Sequence, residues 1–417
     1  MTKQKRQANR FYLFYTFALW LVHLLLPLHW SDDAIFFAKA AELALPDFLR
    51  SSSRVPVDAL TYLFALHPLA WRLLNPLALL GFSVLLAALL HLESRREKAA
   101  LALLCLYPSM FLAEAGFMAT SLNYLWPAFC GAFALWALRA FDPADCARRW
   151  LPLASLLPVL YAVNMQQLVV VLVPLLLLLW LRGVARFQMR RQKAAYALAV
   201  LAHVALALGG AGFVFWRSLT GENARMAREA ARYFPDFAAL SLLQKAELGI
   251  SSTFQGLAAS LSLPAAAFLA FCVYLFFAVR RSALPKWRQW LALVPALLVV
   301  ALVLATLCGA APGLHLVNYK MQKAAYHSAF AADALFCLLL GLVAFTLHGL
   351  LQTRPARLQA LLALALGLAS RCMMGFSPTV WASGYRTFFL LLLALLLCVF
   401  LVQREAVNTA RKPSPKP

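Results

Sequence analysis

Twelve apolar runs, parted by short clusters of Lys and Arg, leave this chain few ways to fold. They lie near residues 11–28, 69–90, 99–112, 124–138, 151–163, 168–181, 194–216, 256–279, 291–310, 326–349, 359–370 and 387–402. A helix needs roughly 20 apolar residues to cross about 30 Å of hydrocarbon. Inside lipid the backbone must also satisfy its own hydrogen bonds, which leaves helices as the natural spans for runs of this kind. The chain is 63% hydrophobic and 13% charged, where soluble domains sit near 45–50% apolar. A soluble globular protein is thereby excluded. The first run is followed by two acids and not by a small-residue cleavage site, so it reads as a span and not as a removed signal. The expectation is an all-α polytopic membrane protein with about twelve transmembrane helices, a single domain over 1–402 and a basic tail over 403–417. Residues 408–417 are polar and Lys/Pro-rich, with nothing to build a core, and are expected to be disordered.

A formal charge of +22, from 38 Lys and Arg against 16 Asp and Glu, would suggest nucleic acid in a soluble chain. Its distribution points elsewhere. With both termini placed in the cytoplasm, the segments on that side hold 25 of the 38 cations and 5 of the 16 acids. That is +20 inside and +2 outside, the signature of membrane topology and not of nucleic-acid binding. The same reasoning decides a local ambiguity. Arg148 and Arg149 precede the runs at 151–163 and 168–181, and Arg182, Arg186, Arg190, Arg191 and Lys193 follow them. Both ends then belong on one side, which requires a turn at Asn164-Met165-Gln166-Gln167 and not one long helix. The external loops at about 29–68 and 217–255 are the longest. Apolar residues recur in them at helical spacing (Ala34, Phe37, Ala38, Ala41; Ala227, Ala230, Ala231, Phe234), predicting short helices along the interface. Eight cysteines are scattered, mostly inside apolar runs, which offers neither a disulfide framework nor a zinc site.

Chemistry is expected where charge meets the outer surface. Trp30-Ser31-Asp32-Asp33 sets two carboxylates just past the first span. Either aspartate can act as a general base toward an acceptor hydroxyl; the rival reading is that Ser-Asp-Asp caps a helix beginning at Ala34. The outer loops also carry Arg54, Arg225, Arg228, Arg232, Lys320, Lys323 and Arg386. Such cations can stabilise the charge of a departing lipid phosphate, or simply anchor the chain at the interface. Arg228 and Arg232 are four apart and share a helix face. Tyr319-Lys320 and Tyr385-Arg386 each put an aromatic beside a cation at a span boundary. A third stretch, Phe117 to Pro127 (FMATSLNYLWP), follows Glu114. Its Ser121 and Asn123 stand beside Tyr124 and Trp126, a platform suited to a sugar or headgroup as well as to an aromatic belt. Asn164, Gln166, Gln167 and Asp333 are the other polar groups near that depth, and read as turn or packing groups.

An acid pair directly after the first span, a long first external loop and a dozen helices resemble the GT-C superfamily of polytopic glycosyltransferases. More narrowly, Phe117 to Pro127 is similar to the W-x-T-G-S-x-N-Y-x-W-P stretch of a family of bacterial glucosyltransferase-like membrane proteins, related to the O-antigen serotype-converting glucosyltransferases. Ser121, Asn123, Tyr124, Trp126 and Pro127 match it, while Phe117 replaces the tryptophan and Thr120 the glycine. Tyr385-Arg386-Thr387-Phe388-Phe389 resembles the Arg-plus-aromatics approach to that family's last span. The specific matches cover about thirty residues.

The resemblance implies transfer of a sugar from a polyprenyl-phosphate carrier to a cell-surface glycan or glycolipid, on the external face of a bacterial inner membrane. It places the catalytic base at Asp32. Substrate contacts are expected from Arg54, Ser121, Asn123, Tyr124, Trp126, Arg228, Arg232, Lys320, Lys323, Tyr385 and Arg386. The implied partners are the lipid-linked donor, the acceptor and membrane lipid, with no nucleic acid. No cofactor is implied, and dependence on a divalent metal stays open. A transporter or flippase is the competing class. It predicts ionisable residues deep in the spans and paired half-repeats, whereas Arg72 and Asp333 are the main charges within spans here and no half-repeat is visible.

Overall fold

A computed structural model describes residues 3–50, 52–110, 115–220, 225–309 and 324–410. Lys320 and Lys323, with Tyr319 and Glu114, lie outside the described residues. Among those described, the chain is all-α with no strand. Among the described residues eight helices are long and apolar enough to cross a bilayer, so the chain is a multi-pass membrane protein. Two compact units divide it, Met1–Arg225 and Met226–Pro417.

The first unit runs α1 (Lys3–Leu25), α2 (Ser31–Glu42), α3 (Leu45–Arg50), α4 (Val55–Leu66), α5 (Pro68–Leu89), α6 (Arg95–Met110), α7 (Phe117–Asn123), α8 (Leu125–Ala140), α9 (Leu151–Ala162), α10 (Gln166–Arg186) and α11 (Arg190–Leu219). Side-chain contacts fix their directions. Tyr15 pairs with Ser83, while Arg72 donates to the Leu26 carbonyl, so α1 and α5 are antiparallel. Trp126 donates to Asn75 and Arg139 to the Leu89 carbonyl, so α8 runs parallel to α5. Gly131 faces Leu168 and Arg186 donates to the Arg139 carbonyl, which makes α10 parallel to α8. Ser155 meets His203 and Val163 meets Gly210, so α9 runs with α11.

Gly183 packs on Tyr196 and Val169 clusters with Ala207, so α10 and α11 are antiparallel; α9, which runs with α11, is then antiparallel to α10, as the flanking arginines required. The turn between them is held by Asn164, whose side-chain amide donates to the Leu160 and Tyr161 carbonyls. One end of the unit therefore collects the C-terminal ends of α1, α9 and α11, the N-terminal ends of α5, α8 and α10, and the short helices α2, α3, α4 and α7. The connections at 90–94, 141–150 and 187–189 gather at the other, made basic by Arg148 and Arg149 and by the helix ends beside them, with Arg95, Arg96, Arg139, Arg186, Arg190 and Arg191. There Arg148 pairs with Asp145 at 3.2 Å and Arg186 with Asp142 at 4.0 Å, both exposed and of little energetic weight.

The second unit contains α12 (Arg225–Tyr233, whose first residue still belongs to the first unit), α13 (Leu242–Ala258), α14 (Leu263–Arg280), α15 (Lys286–Leu307), α16 (Phe330–Leu350), α17 (Arg354–Cys372) and α18 (Phe389–Ala410), with 3-10 turns at 235–239, 373–376 and 385–388. The α17–α18 pair is antiparallel: Cys398 reaches the Ala360 carbonyl, and Gly367 packs on Ala394 and Leu391. Span 385–407, built on α18, is 72% buried within the protein, the central helix of this unit. Ser241 opens α13 with a capping box to Gln244, two backbone donors satisfied reciprocally. The helix then crosses the 373–376 turn at backbone contact, Gly249 against the Cys372 carbonyl and Gly375 against that of Lys245. No side chain larger than hydrogen fits at either crossing.

Every apolar run read from the sequence falls on a helix over its described residues, with boundary corrections: the first run ends at Leu25, and the run expected from 326 becomes helix only at Phe330. The run expected at 256–279 begins inside α13 and continues as α14 only from Leu263, because Ser262 caps a new helix by accepting from the Ala265 amide. The expected end at 402 is passed as well. Helix α18 continues to Ala410, since Gln403, Arg404, Glu405 and Ala406 are all good helix formers. The interfacial helices expected at 34–41 and 227–234 are present as α2 and α12.

Candidate functional site

The short helices α2, α4 and α7 form a cap on the first unit, and α7 is its hub. Asp33 is completely buried. Its carboxylate accepts the amide of Met118 at 3.0 Å and that of Ala119 at 2.8 Å, with a further bond from the Phe117 amide. Those are orphan donors of the first turn of α7. Gly116, at φ 100°, makes the approach possible: a Cβ there would lie 2.6 Å from the Asp33 carboxyl carbon. Burial pushes the Asp33 carboxyl up to about 6, against the opposing pull of the three amides.

Asp32 is half-buried beside it. Helix α2 begins at Ser31, earlier than the expected Ala34, with Trp30 at the cap position and no side-chain cap bond. The Ser-Asp-Asp stretch therefore does not cap its own helix. Asp33 caps another one, and Ser31 holds a left-handed φ of 53° at the join.

Other expected residues meet on the same cap. Arg54 Nη1 donates to Asn123 Oδ1 at 2.7 Å, and Asn123 Nδ2 donates to the Ala119 carbonyl at 2.7 Å. Asp33, Asn123 and Arg54 are thus linked through α7. Ser121 is buried, accepts the indole N–H of Trp71 at 2.9 Å and donates to the Met118 carbonyl at 3.0 Å. Trp126 donates to Asn75 Oδ1 at 2.9 Å and packs edge-on to Phe64. Asn75 in turn donates to His23 Nε2, whose Nδ1–H goes to the Leu19 carbonyl. Tyr124, half-buried, stands at the junction of α7 and α8.

Several members of this cap escaped the reading of the sequence. Trp71, His23 and Asn75 sit in or beside apolar runs, where a polar group is a visible but unaddressed signal. Asp58, half-buried one turn after Arg54, acts electrostatically on the buried Tyr161. Arg217 closes α11 onto the cap by donating to the Ser52 carbonyl at 2.9 Å, while Ser52 Oγ accepts the Arg54 amide.

The remaining described candidates belong to the second unit. Arg228 and Arg232 are exposed on α12, with Arg232 over the Tyr233 ring at 5.0 Å. The opposite face of α12 buries Ala230 in a cluster with Phe234, Phe237, Leu248, Ala324 and Val380. Trp381 stacks on Phe234, which brings the 373–388 connection to the same end of the unit. Tyr385 and Arg386 lie there half-buried, and Arg386 Nε donates to the Ser383 carbonyl at 2.9 Å. A buried cation that the sequence did not single out stands close by. Arg371 is 2% exposed, donates to Ser252 Oγ and the Val380 carbonyl, and lies 4.5 Å over the Phe388 ring. Among the described residues no group of three His, Cys, Asp or Glu side chains forms a metal cluster. No family model, curated protein or solved structure matches the chain.

Proposed function

We propose that the chain is a polytopic glycosyltransferase that moves a sugar from a polyprenyl-phosphate carrier to a cell-surface glycan or glycolipid, at the external face of a bacterial inner membrane. The reading takes twelve helices as spans: the eight long ones together with α1, α6, α8 and α9. It places the basic connections of the first unit in the cytoplasm and the cap of short helices outside.

One observation carries it. Asp32, Arg54 and Asn123 share the cap at the end of the unit opposite the basic connections. Asp33 has its carboxylate committed to the amides of α7, which favours its neighbour Asp32 as the base. In the reaction, Asp32 takes the proton of an acceptor hydroxyl as that oxygen bonds to the anomeric carbon of the sugar. The bond from that carbon to the phosphate oxygen breaks, and polyprenyl phosphate departs with the electron pair. Arg54 opposes the charge that develops on the phosphate, since a guanidinium matches two phosphate oxygens at once.

Transfer from a labelled polyprenyl-phosphate sugar, in membranes containing the full chain, tests this. Asp32→Asn should lower transfer by about 10²–10⁴-fold, the usual weight of a general base, while abundance and melting stay near those of the parent. Full transfer in Asp32→Asn would overturn the mechanism.

A further inference from the structure

A second pair of acids lies at the head of α16, and the reaction above does not use it. Glu247 of α13 reaches the start of that helix. Its Oε1 accepts the Ser328 hydroxyl at 2.7 Å and the Ala329 amide at 2.8 Å, and its Oε2 accepts the Tyr326 hydroxyl. Desolvation alone would raise the Glu247 carboxyl, but these three donors outweigh it and hold it below its usual range. The group is a carboxylate, with a lone-pair direction left on Oε2. Asp333, in the first turn of α16, is 8% exposed, and its Oδ1 is buried with no hydrogen-bond partner among the described residues. The charge that acts on it is Glu247, also negative.

Two cations among the described residues of this unit are engaged elsewhere. Lys245 sits 4.8 Å over the Phe237 ring, and Arg371 is held by Ser252, the Val380 carbonyl and Phe388. Two acids gathered at the start of a helix, one from another element, have an ordinary explanation as partners of its dipole. That explanation accounts for Glu247, which binds the helix start directly. It does not account for a carboxylate oxygen enclosed without a donor, which costs free energy until a cation or a proton meets it.

We propose that Asp333 and Glu247 together hold a hard divalent cation, of the magnesium or calcium class, at the head of α16. The two carboxylates and the hydroxyls bonded to Glu247, those of Tyr326 and Ser328, offer oxygen donors. Such a set selects hard cations over zinc or copper. No third acid, His or Cys joins the pair among the described residues. That suits an ion which keeps several waters and takes only one or two carboxylates. Two negative charges also match a divalent ion better than a sodium ion. By tying α13 to α16, the ion would clamp the end of the second unit that carries α12 and the 373–388 connection. This inference stands apart from the transfer reaction and survives its failure.

The experiment uses the purified full chain in detergent, freed of metal by chelation. Its melting temperature is followed against magnesium, calcium or manganese chloride, with sodium chloride at matched ionic strength and ethylammonium chloride as controls. A saturable rise of several degrees is expected with a divalent ion alone, because a ligand of the folded state stabilises it in proportion to ln(1 + [L]/Kd). Asp333→Asn should melt higher than the parent without metal, having lost an uncompensated charge, and should lose the divalent response; Glu247→Gln should weaken that response. Should either variant fail to fold, electron paramagnetic resonance of manganese on the parent chain should still count one bound ion, displaced by magnesium. A parent with no saturable divalent response would overturn the site. So would an equal response in Asp333→Asn, or one matched by ethylammonium.

Discussion

Replacing Asp33 by Asn should stabilise this protein at neutral pH, although it removes a carboxylate that binds three amides. Two effects of similar size oppose each other at Asp33. Amides aimed at a carboxylate favour ionisation, and two or three of them can hold a carboxyl below about 2. Complete burial disfavours ionisation, and here it wins, since the group titrates near 6 against an ordinary 3.8. At about 1.4 kcal/mol per unit, the difference is on the order of 3 kcal/mol against the ionised form. The sign follows from linkage. A carboxyl raised on folding contributes stability that is present in full below about pH 4 and is lost as the pH climbs through about 6.

Asn copies the shape of the protonated acid and does not titrate. Its NH2 cannot accept, however, so one amide of α7 loses its acceptor; the variant should lie about 1–2 kcal/mol below the parent near pH 4 and exceed it by up to about 2 kcal/mol at pH 7.5. Asp33→Ala leaves the first turn of α7 without any acceptor and should lie about 1–3 kcal/mol below the parent near pH 4, the gap closing as the parent loses stability toward pH 7.5. Thermal unfolding in detergent at pH 4.5, 6 and 7.5, read by tryptophan fluorescence, compares the three chains. A lower melting temperature for Asp33→Asn at pH 7.5, with the pH dependence of the parent retained, would refute the argument. The amides would then outweigh burial, and Asp33 would be an ordinary ionised cap.

The buried hydrogen bond between Trp71 and Ser121 gives a second test. Ser121→Ala strands an indole N–H on a side chain with no exposure, which should cost about 1–3 kcal/mol of stability in the same melts. Gly249→Ala would set a Cβ 2.0 Å from the Cys372 carbonyl. Backbone cannot yield as a side chain does, so a loss of about 3 kcal/mol or a collapse in folded yield is expected. For orientation the native cysteines serve, since Cys146 and Cys308 are both exposed and lie in connections, not in spans. An impermeant maleimide applied to intact cells should label Cys308 and reach Cys146 only after permeabilisation; the reverse pattern would invert the proposed topology.

How much of this was legible in the sequence depended on the range of the force involved. The apolar runs and the turn at 164–167 could be read because lipid and charge act on each segment separately, wherever its neighbours lie. The amphipathic spacing of α2 and α12 is likewise local. What failed was partnership. The Ser-Asp-Asp stretch carried correct information about its chemistry, for a carboxylate there does meet a helix start. The helix is α7, though, 85 positions away from Asp33, and nothing in residues 30–34 names it. Gly116 was the available clue, because a glycine directly before Phe117-Met118-Ala119 leaves room for an acceptor from elsewhere. The same limit hid Ser121, whose hydroxyl looks free until Trp71 is placed against it, and Glu247, whose three donors all come from residues 326–329. Arg371 shows the converse, since an arginine at a span end reads as an anchor in water, yet the 373–388 connection folds back and encloses it. Positions that solvent or lipid controls can be predicted one segment at a time. A cap built in trans cannot, and the candidate base and the residue that supports it stand next to each other at that boundary, as Asp32 and Asp33.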